Sequence, residues 1–505
     1  MRATLAPQAE IGHAELEAGL RRLVYETGYS SATAALTSGV ILTAFALHLD
    51  ASNLMVGVLA SAPFLGQILQ APAVLLVERL RRRKAIAVLS SLIGRSMLLL
   101  MALAVFLPPG PAIAVVIIGQ FILCAMGAVG GCAWNAWLRD LVPQDRLGAI
   151  FSQRTMYTTG VSLAAGIAAA LFLDRTAEGS DGRAYAFAAL YGVGCVAGLI
   201  SAFVVARMPE PAMPPRSGEP LGLLSLLSAP LADGNFRRLV LFLSSWQFAV
   251  NLATPFFTVF IVRRLGFEMT FVMALSVVSQ ITNLLAVRSW GSLSDRFAHK
   301  SVLAVAAPTY ILCIVAMAGA SRLGTGARGM AYLVALHALM GAAVAGVTLA
   351  TTNIALKLSP KGEATAYVAT SALASSLAAG IAPVLGGLSA DFFAQRRFEL
   401  LLRWTSPEGV VLLSPLMLSA WDFYFLFAGL LGFYALHRLS LVNEEGHIER
   451  REMVQQVLGE TRRVARNLGT VSGLRALTEL PAALVHDARV RARWLRRNRT
   501  LAGSG

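Results

Sequence analysis

The stretch "WGSLSDRFAHK", residues 290–300, ends a long apolar run with a Gly, turns through Asp and Arg, and closes on basic residues. A second stretch, "VLLVERLRRRK", residues 74–84, has nearly the same shape. Superimposing Glu78 on Asp295 and Arg79 on Arg296 gives an offset of 217 residues, close to half of the hydrophobic part of the chain. An offset of that size predicts a duplication, and other features recur with it. "NAWLRDLVP" (135–143) is echoed by "NIALKLSP" (353–360), with Pro143 and Pro360 also 217 apart. "SLAAGIA" stands verbatim at 162–168 and again at 376–382.

The runs between these echoes decide the class. Apolar residues make up 56% of the 505, charged residues only 14%, and mean hydropathy is +0.64. An ordinary soluble domain carries about 25% charged residues, so the chain reads as an integral membrane protein. The net charge of +15 comes from Arg clusters between apolar runs and in the tail. Membrane topology explains that pattern better than a nucleic-acid partner, and we expect none. Cys124, Cys132, Cys195 and Cys313 all fall inside apolar runs without metal-ligand spacing, and read as small packing residues. We find no nucleophile with its base, no metal constellation and no phosphate-cradling loop, so neither an enzyme nor a cofactor is expected. The first residues are polar and lack a cleavable signal pattern, so the first span is expected to be retained.

A bilayer core of about 30 Å needs roughly 20 apolar helical residues, and twelve runs qualify. They lie near 24–48, 53–77, 85–107, 112–137, 150–173, 185–206, 237–262, 268–290, 301–320, 328–355, 365–390 and 418–438. The Pro- and Gly-rich linker at 207–236 separates six spans from six more. The expected order is a cytoplasmic N-terminal segment (1–23), a six-helix bundle (24–206), the linker, a second bundle (237–438) and a basic cytoplasmic tail (439–505). With the N-terminus inside, "ERLRRRK", "RDLVPQDR", the linker, "SDRFAHK" and "LKLSPKG" all face the cytoplasm, as the excess of Lys and Arg on cytoplasmic loops requires. Arg263, Arg264, Arg396 and Arg397 fall on the minority side. Both termini are therefore expected in the cytoplasm, with the chain in a plasma membrane of the bacterial inner-membrane type. The tail, ending "RVRARWLRRNRT", reads as a solvated, partly helical segment or, alternatively, as a helix lying on anionic lipid.

Over about residues 20–440 the chain resembles the major facilitator superfamily. The family pattern G-x-L-x-D-R-x-G-R-K is matched by "GSLSDRFAHK", with Ala298 and His299 in place of Gly and Arg. The first copy departs further, with Glu78 for Asp and Val74 at the Gly position. The resemblance implies an all-α fold of two pseudo-symmetric six-helix bundles and alternating-access transport of a small solute by a monomer. It makes Asp295 and Glu78 gate residues on the cytoplasmic side, with Arg296, Lys300, Arg79 and Arg82 as partners and Gly291 permitting close packing. The alternative is that these charges only set topology. The family's antiporter signature is absent from span 5, where 160–169 read "GVSLAAGIAA", while span 11 carries "APVLGG" at 382–387.

In this family the first, fourth, seventh and tenth spans line the cavity, so polar groups there are substrate candidates. Gln247, Asn251 and Thr254 form one helical stripe in span 7, and Gln247 and Thr254 map through the repeat onto Ser30 and Thr37 in span 1. Gln120 in span 4 maps onto His337 in span 10, both near the midplane. These seven residues are expected to line a pocket that hydrogen-bonds a polar or amphiphilic solute, the alternative being helix-to-helix bonding. Arg95, deep in span 3, needs a buried partner and reads as a structural group or as a contact to substrate or anion. Glu26 reads as an interfacial residue or a proton-coupling carboxylate, and coupling through His337 or Glu26 stays open. Trp134 and Trp137 read as interfacial anchors rather than stacking platforms. The competing function is a non-transporting sensor or scaffold on the same fold, acting through the cytoplasmic tail.

Overall fold

The computed structural model describes residues 6–8, 10–177, 179–213, 227–360, 364–406 and 409–444. Among them, twelve helices are long and apolar enough to cross a membrane. These are span 1 (His13–His48), span 2 (Asn53–Leu80), span 3 (Arg83–Phe106), span 4 (Pro109–Leu141), span 5 (Leu147–Asp174) and span 6 (Asp181–Ala206). The second set comprises span 7 (Gly234–Arg264), span 8 (Met269–Ser294), span 9 (His299–Leu323), span 10 (Ala327–Lys357), span 11 (Ala366–Phe393) and span 12 (Ala420–Ser440). Span 1 starts eleven residues before the expected 24, because hydropathy finds the part that lies in hydrocarbon. The helix itself begins earlier, in a charged stretch with Glu15, Arg21 and Arg22 that an apolar-run search leaves out.

One element was not expected. Between spans 11 and 12, Phe398–Ser406 (β1) and Gly409–Leu418 (β2) form an antiparallel hairpin, with Phe398 opposite Leu418 and Ser406 opposite Gly409. Both strands are too short to cross a bilayer as helices, and β1 carries Glu399 and Arg403, so a search for long apolar runs passes over them. The basic tail from residue 445 lies outside the described residues.

Within the first set, span 1 packs on spans 5 and 6, and span 3 on spans 4 and 6. The second set repeats this, with span 7 on spans 11 and 12 and span 9 on spans 10 and 12. Large apolar side chains such as Leu99, Leu100, Val193, Leu430 and Phe433 point outward, as lipid allows.

The two bundles meet chiefly through spans 2 and 11, and through spans 5 and 8. Lipid tails are as apolar as Leu, so close approach and dispersion must hold this seam. The sequence provides glycines for it. A β-carbon on Gly57 would collide with the Pro383 carbonyl, one on Gly387 would sit 2.6 Å from the Leu54 α-carbon, and one on Gly380 2.7 Å from the Leu65 side chain. The "APVLGG" run thus positions the bundles against each other.

Candidate functional site

Two spans are interrupted as they pass mid-depth. Span 1 breaks at Ser38–Gly39, where Gly39 has φ +58° and ψ −123° between helices His13–Thr37 and Val40–His48. A β-carbon is disfavoured in that backbone region, so the break needs glycine. Span 7 is interrupted at Thr254–Pro255, since proline has no N–H to continue the ladder, and a π-helical turn follows at Phe260–Arg264. Gly39 and Pro255 are 216 residues apart, so both halves of the repeat carry an interruption at matching depth.

Beside these breaks, between the bundles, lies a central chamber of about 550 Å³. Gln120, Asn251, Thr254 and His337 line it together with Tyr310 from span 9 and apolar Leu59, Phe64, Val272 and Met340. The Thr254 hydroxyl lies 3.3 Å from the Tyr310 hydroxyl and donates to the Val250 carbonyl at 2.8 Å. His337 Nδ1 is 2.9 Å from the Leu333 carbonyl, which can only accept, so Nδ1 carries a proton. Gln120 is buried, its amide nitrogen donating to Cys124 Sγ at 3.4 Å, while its amide oxygen has no partner among the described residues.

A second chamber, about 650 Å³, lies inside the first bundle and shares Ser38, Pro63 and Gln120 with the central one. It contains Ser30 and Thr37 and the ionisable residues Glu26, Arg95 and Arg154. Glu26 is buried within the bundle; it accepts from Ser201 at 3.1 Å and stands 3.8 Å from Arg154 Nη2. Arg154 Nε donates to the Thr27 hydroxyl at 2.9 Å, and its guanidinium lies 5.9 Å from the Trp134 ring centroid. Arg95 donates to the Gly198 carbonyl and lies 3.5 Å from the Ser30 hydroxyl.

The seven expected pocket residues are therefore distributed. Gln120, Asn251, Thr254 and His337 share the central chamber, Ser30 and Thr37 meet Gln120 in the second, and Gln247 lines a third of about 350 Å³ with Trp246, Thr348 and Ser371. One helical turn from Asn251 is enough to carry Gln247 past the seam between chambers. Thr37 is buried, its hydroxyl donating to the Thr33 carbonyl at 2.7 Å. Sequence reasoning missed Arg154 and Tyr310 because it searched spans 1, 4, 7 and 10. The Arg inside "IFSQRTMYTTG" was the available signal for the first. The anchoring role expected of Trp137 is corrected: its ring is fully buried and its indole N–H donates to the Pro209 carbonyl at 3.0 Å.

At the end of the bundles away from the linker, two carboxylates cross the seam. Asp391, closing span 11, accepts from Asn53 Nδ2 at 2.8 Å and from the Leu54 N–H at 3.1 Å. Asp174, 217 residues earlier, closes span 5 and accepts from the N–H groups of Met269 at 3.1 Å and Thr270 at 2.6 Å. Each carboxylate thus caps the first turn of a helix in the opposite bundle, where unpaired N–H groups favour a negative charge. Arg263 adds a donor to the Ala51 carbonyl at 3.1 Å.

The linker end carries a second pair of caps, each within its own half. Glu210 accepts from the Arg83 N–H at 2.7 Å, and Lys84 Nζ donates to the Met208 carbonyl at 3.2 Å. Glu444 accepts from the N–H groups of His299 at 3.3 Å and Lys300 at 2.6 Å, while Lys300 Nζ donates to the Val442 carbonyl at 2.6 Å. The basic residues closing each gate motif therefore hold the segment that leaves the bundle. Asp140 pairs with Arg83 at 2.5 Å, and its repeat counterpart Lys357 pairs with Glu444 at 2.8 Å. Burial pushes the Glu210 carboxyl above the usual carboxylate range, against the pull of the Lys84 and Arg83 N–H groups, so desolvation outweighs the attraction.

Glu78, Arg79, Arg82 and Arg296 of the gate motif are exposed, and the Asp295 side chain lies outside the described residues. Gly291, expected to permit close packing, faces open space: a β-carbon there would meet nothing within 4 Å.

The sequence profile of the Major Facilitator Superfamily matches residues 27–328, more than half of the chain. No curated protein matches it. Among solved structures, a mutant of the nucleoside transporter NupG is 14% identical, with 84% of this chain and 100% of that one covered at a TM-score of 0.62. A D-xylose-proton symporter is 14% identical, with 85% and 99% covered at a TM-score of 0.61. The inward-open xylose transporter XylE from E. coli is also 14% identical, with 88% and 98% covered at a TM-score of 0.58. At these identities the likeness is one of fold.

Proposed function

Because the chain belongs to the Major Facilitator Superfamily it is a membrane transporter, and we propose that it moves a small solute by alternating access through the central chamber. The observation that carries this reading is the contrast between the two ends. Asp174, Asp391 and Arg263 fasten the bundles together at one end, while at the other Glu210 and Glu444 each hold a segment of their own half. Fastening across the seam at one end, with the fastenings of the other end kept within each half, fits one of the two states that rocking about a midplane site requires.

In this reading Gln120, Asn251, Thr254 and His337 hydrogen-bond the solute, with Ser30, Thr37 and Gln247 along its path. The interruptions at Gly39 and Pro255 let the walls of the chamber bend. The linker end faces the cytoplasm of a bacterial cell, both termini are cytoplasmic, and the state described here is open inward. The loops rich in Lys and Arg support that orientation. The gate motif closes the cytoplasmic end in the opposite state, so Asp295→Asn lowers transport more than Glu78→Gln at equal expression. The reverse ranking counts against this role. Proteoliposome uptake with and without an imposed pH gradient reads proton coupling through Glu26 or His337. Loss of uptake in Asn251→Ala and His337→Ala at normal expression tests the chamber; unchanged kinetics in both overturn it.

A further inference from the structure

We propose that the chamber inside the first bundle receives the anionic head of an amphiphilic organic acid, with Arg154 and Arg95 as its counter-charges and the central chamber taking its apolar tail. This rests on the transport reading above and names the class of solute.

Charge is the first support. The ionisable groups lining that chamber are one carboxylate, Glu26, and two guanidinium groups, Arg95 and Arg154, so one positive charge is in excess. A charge inside a membrane span is costly, and is kept where it serves a partner or a pathway. The carboxylate does not cancel both cations. Glu26 accepts from Ser201, and its nearest guanidinium nitrogen, Arg154 Nη2, stands 3.8 Å away, beyond hydrogen-bond reach. Exposure separates the charges further, with the Glu26 side chain 9% exposed and that of Arg154 20%. Both side chains line the chamber as a long ion pair, with the guanidinium the more exposed of the two. Arg154 is held in place by Thr27 and by the Trp134 and Phe151 rings, a fixed planar fork suited to carboxylate or phosphate oxygens.

Shape is the second support. The two chambers meet at Ser38, Pro63 and Gln120, and beyond that junction the central one offers Leu59, Phe64, Val272 and Met340. A head at Arg154 and a tail among those residues fill both spaces with one molecule. At the junction the buried Gln120 amide oxygen has no partner among the described residues, leaving an unsatisfied acceptor beside the space where the two chambers adjoin.

The test uses three probes that share a tail and differ only in the head: 4-phenylbutyrate, 4-phenylbutanamide and 4-phenylbutylammonium. Each is titrated by calorimetry into the full chain in phosphatidylcholine nanodiscs at fixed ionic strength. The anion is expected to bind about tenfold tighter than the amide, a gap typical of a charge-assisted contact, with the ammonium weakest. Arg154→Gln removes the preference, Arg154→Lys retains it because the charge remains, and Glu26→Gln strengthens anion binding. Thermal unfolding of each variant confirms that the fold persists. Equal binding of anion and amide, tighter binding of the ammonium, or an anion preference that survives Arg154→Gln in a folded protein overturns the proposal. If the preference is absent while the two ends of the molecule still open in turn, only the solute class fails. If the ends do not move, the transport reading fails with it.

Discussion

Asp174 and Asp391 show how a single residue type at a repeated position closes one end of the molecule. Each places a carboxylate on the first turn of a helix across the seam, in reach of N–H groups that have no partner in their own helix. Replacing such a cap typically costs ~1 kcal/mol, and the seam carries two. Asp174→Asn and Asp391→Asn are therefore expected to shift the population several-fold each toward opening at that end, read as faster labelling of a Cys placed at Ser52. Unchanged labelling in the double variant contradicts the latch. Gly291 makes the complementary case at the linker end. In the proposed closed state this face of span 8 packs against its neighbours, so Gly291→Trp, which has space in the structure described, is expected to abolish transport while leaving thermal stability unaffected. Neither carboxylate stood out in the sequence, because an Asp at the end of an apolar run reads simply as the end of a span. Only the pairing of helix ends across space gives the two positions their meaning.

At the level of elements, breaks and caps explain why the spans sit where they do. Gly39 holds a backbone region that a β-carbon disfavours at about 1–3 kcal/mol, so Gly39→Ala is expected to lower transport by straightening span 1. A variant with full activity would show that the interruption is dispensable. Glu210 and Glu444 each fix a departing segment to the start of a helix, and losing a buried charged acceptor costs ~1–3 kcal/mol. Glu444→Gln and Glu210→Gln are each expected to lower the unfolding temperature, since each also removes a carboxylate from a cation, Lys357 and Arg83; an unchanged unfolding temperature in both variants contradicts the assignment. The spans themselves were legible in the sequence because a bilayer demands uninterrupted apolar length. The hairpin Phe398–Leu418 was not, since strands of that length leave no comparable signal. Glu210 and Glu444 were hidden too: the basic residues they meet lie far along the chain, and nothing local marks the pairing.

For the whole molecule, the 217-residue repeat first seen in "WGSLSDRFAHK" and "VLLVERLRRRK" extends to Asp174 and Asp391, to Asp140 and Lys357, and within one residue to the breaks at Gly39 and Pro255. A duplicated fold places each latch twice, so two bundles related in this way have matched fastenings about a shared centre. The central claim is that the ends open alternately. Its most direct measurement is a pair of distances by spin labelling, in a chain whose four cysteines have been replaced. One pair, Arg175→Cys with Glu268→Cys, reports the end closed by Asp174 and Asp391; the other, Arg139→Cys with Leu356→Cys, reports the linker end. The account predicts two populations, one short at the first pair and long at the second, the other reversed. A single unchanging population at both pairs, or distances that lengthen and shorten together, would contradict it.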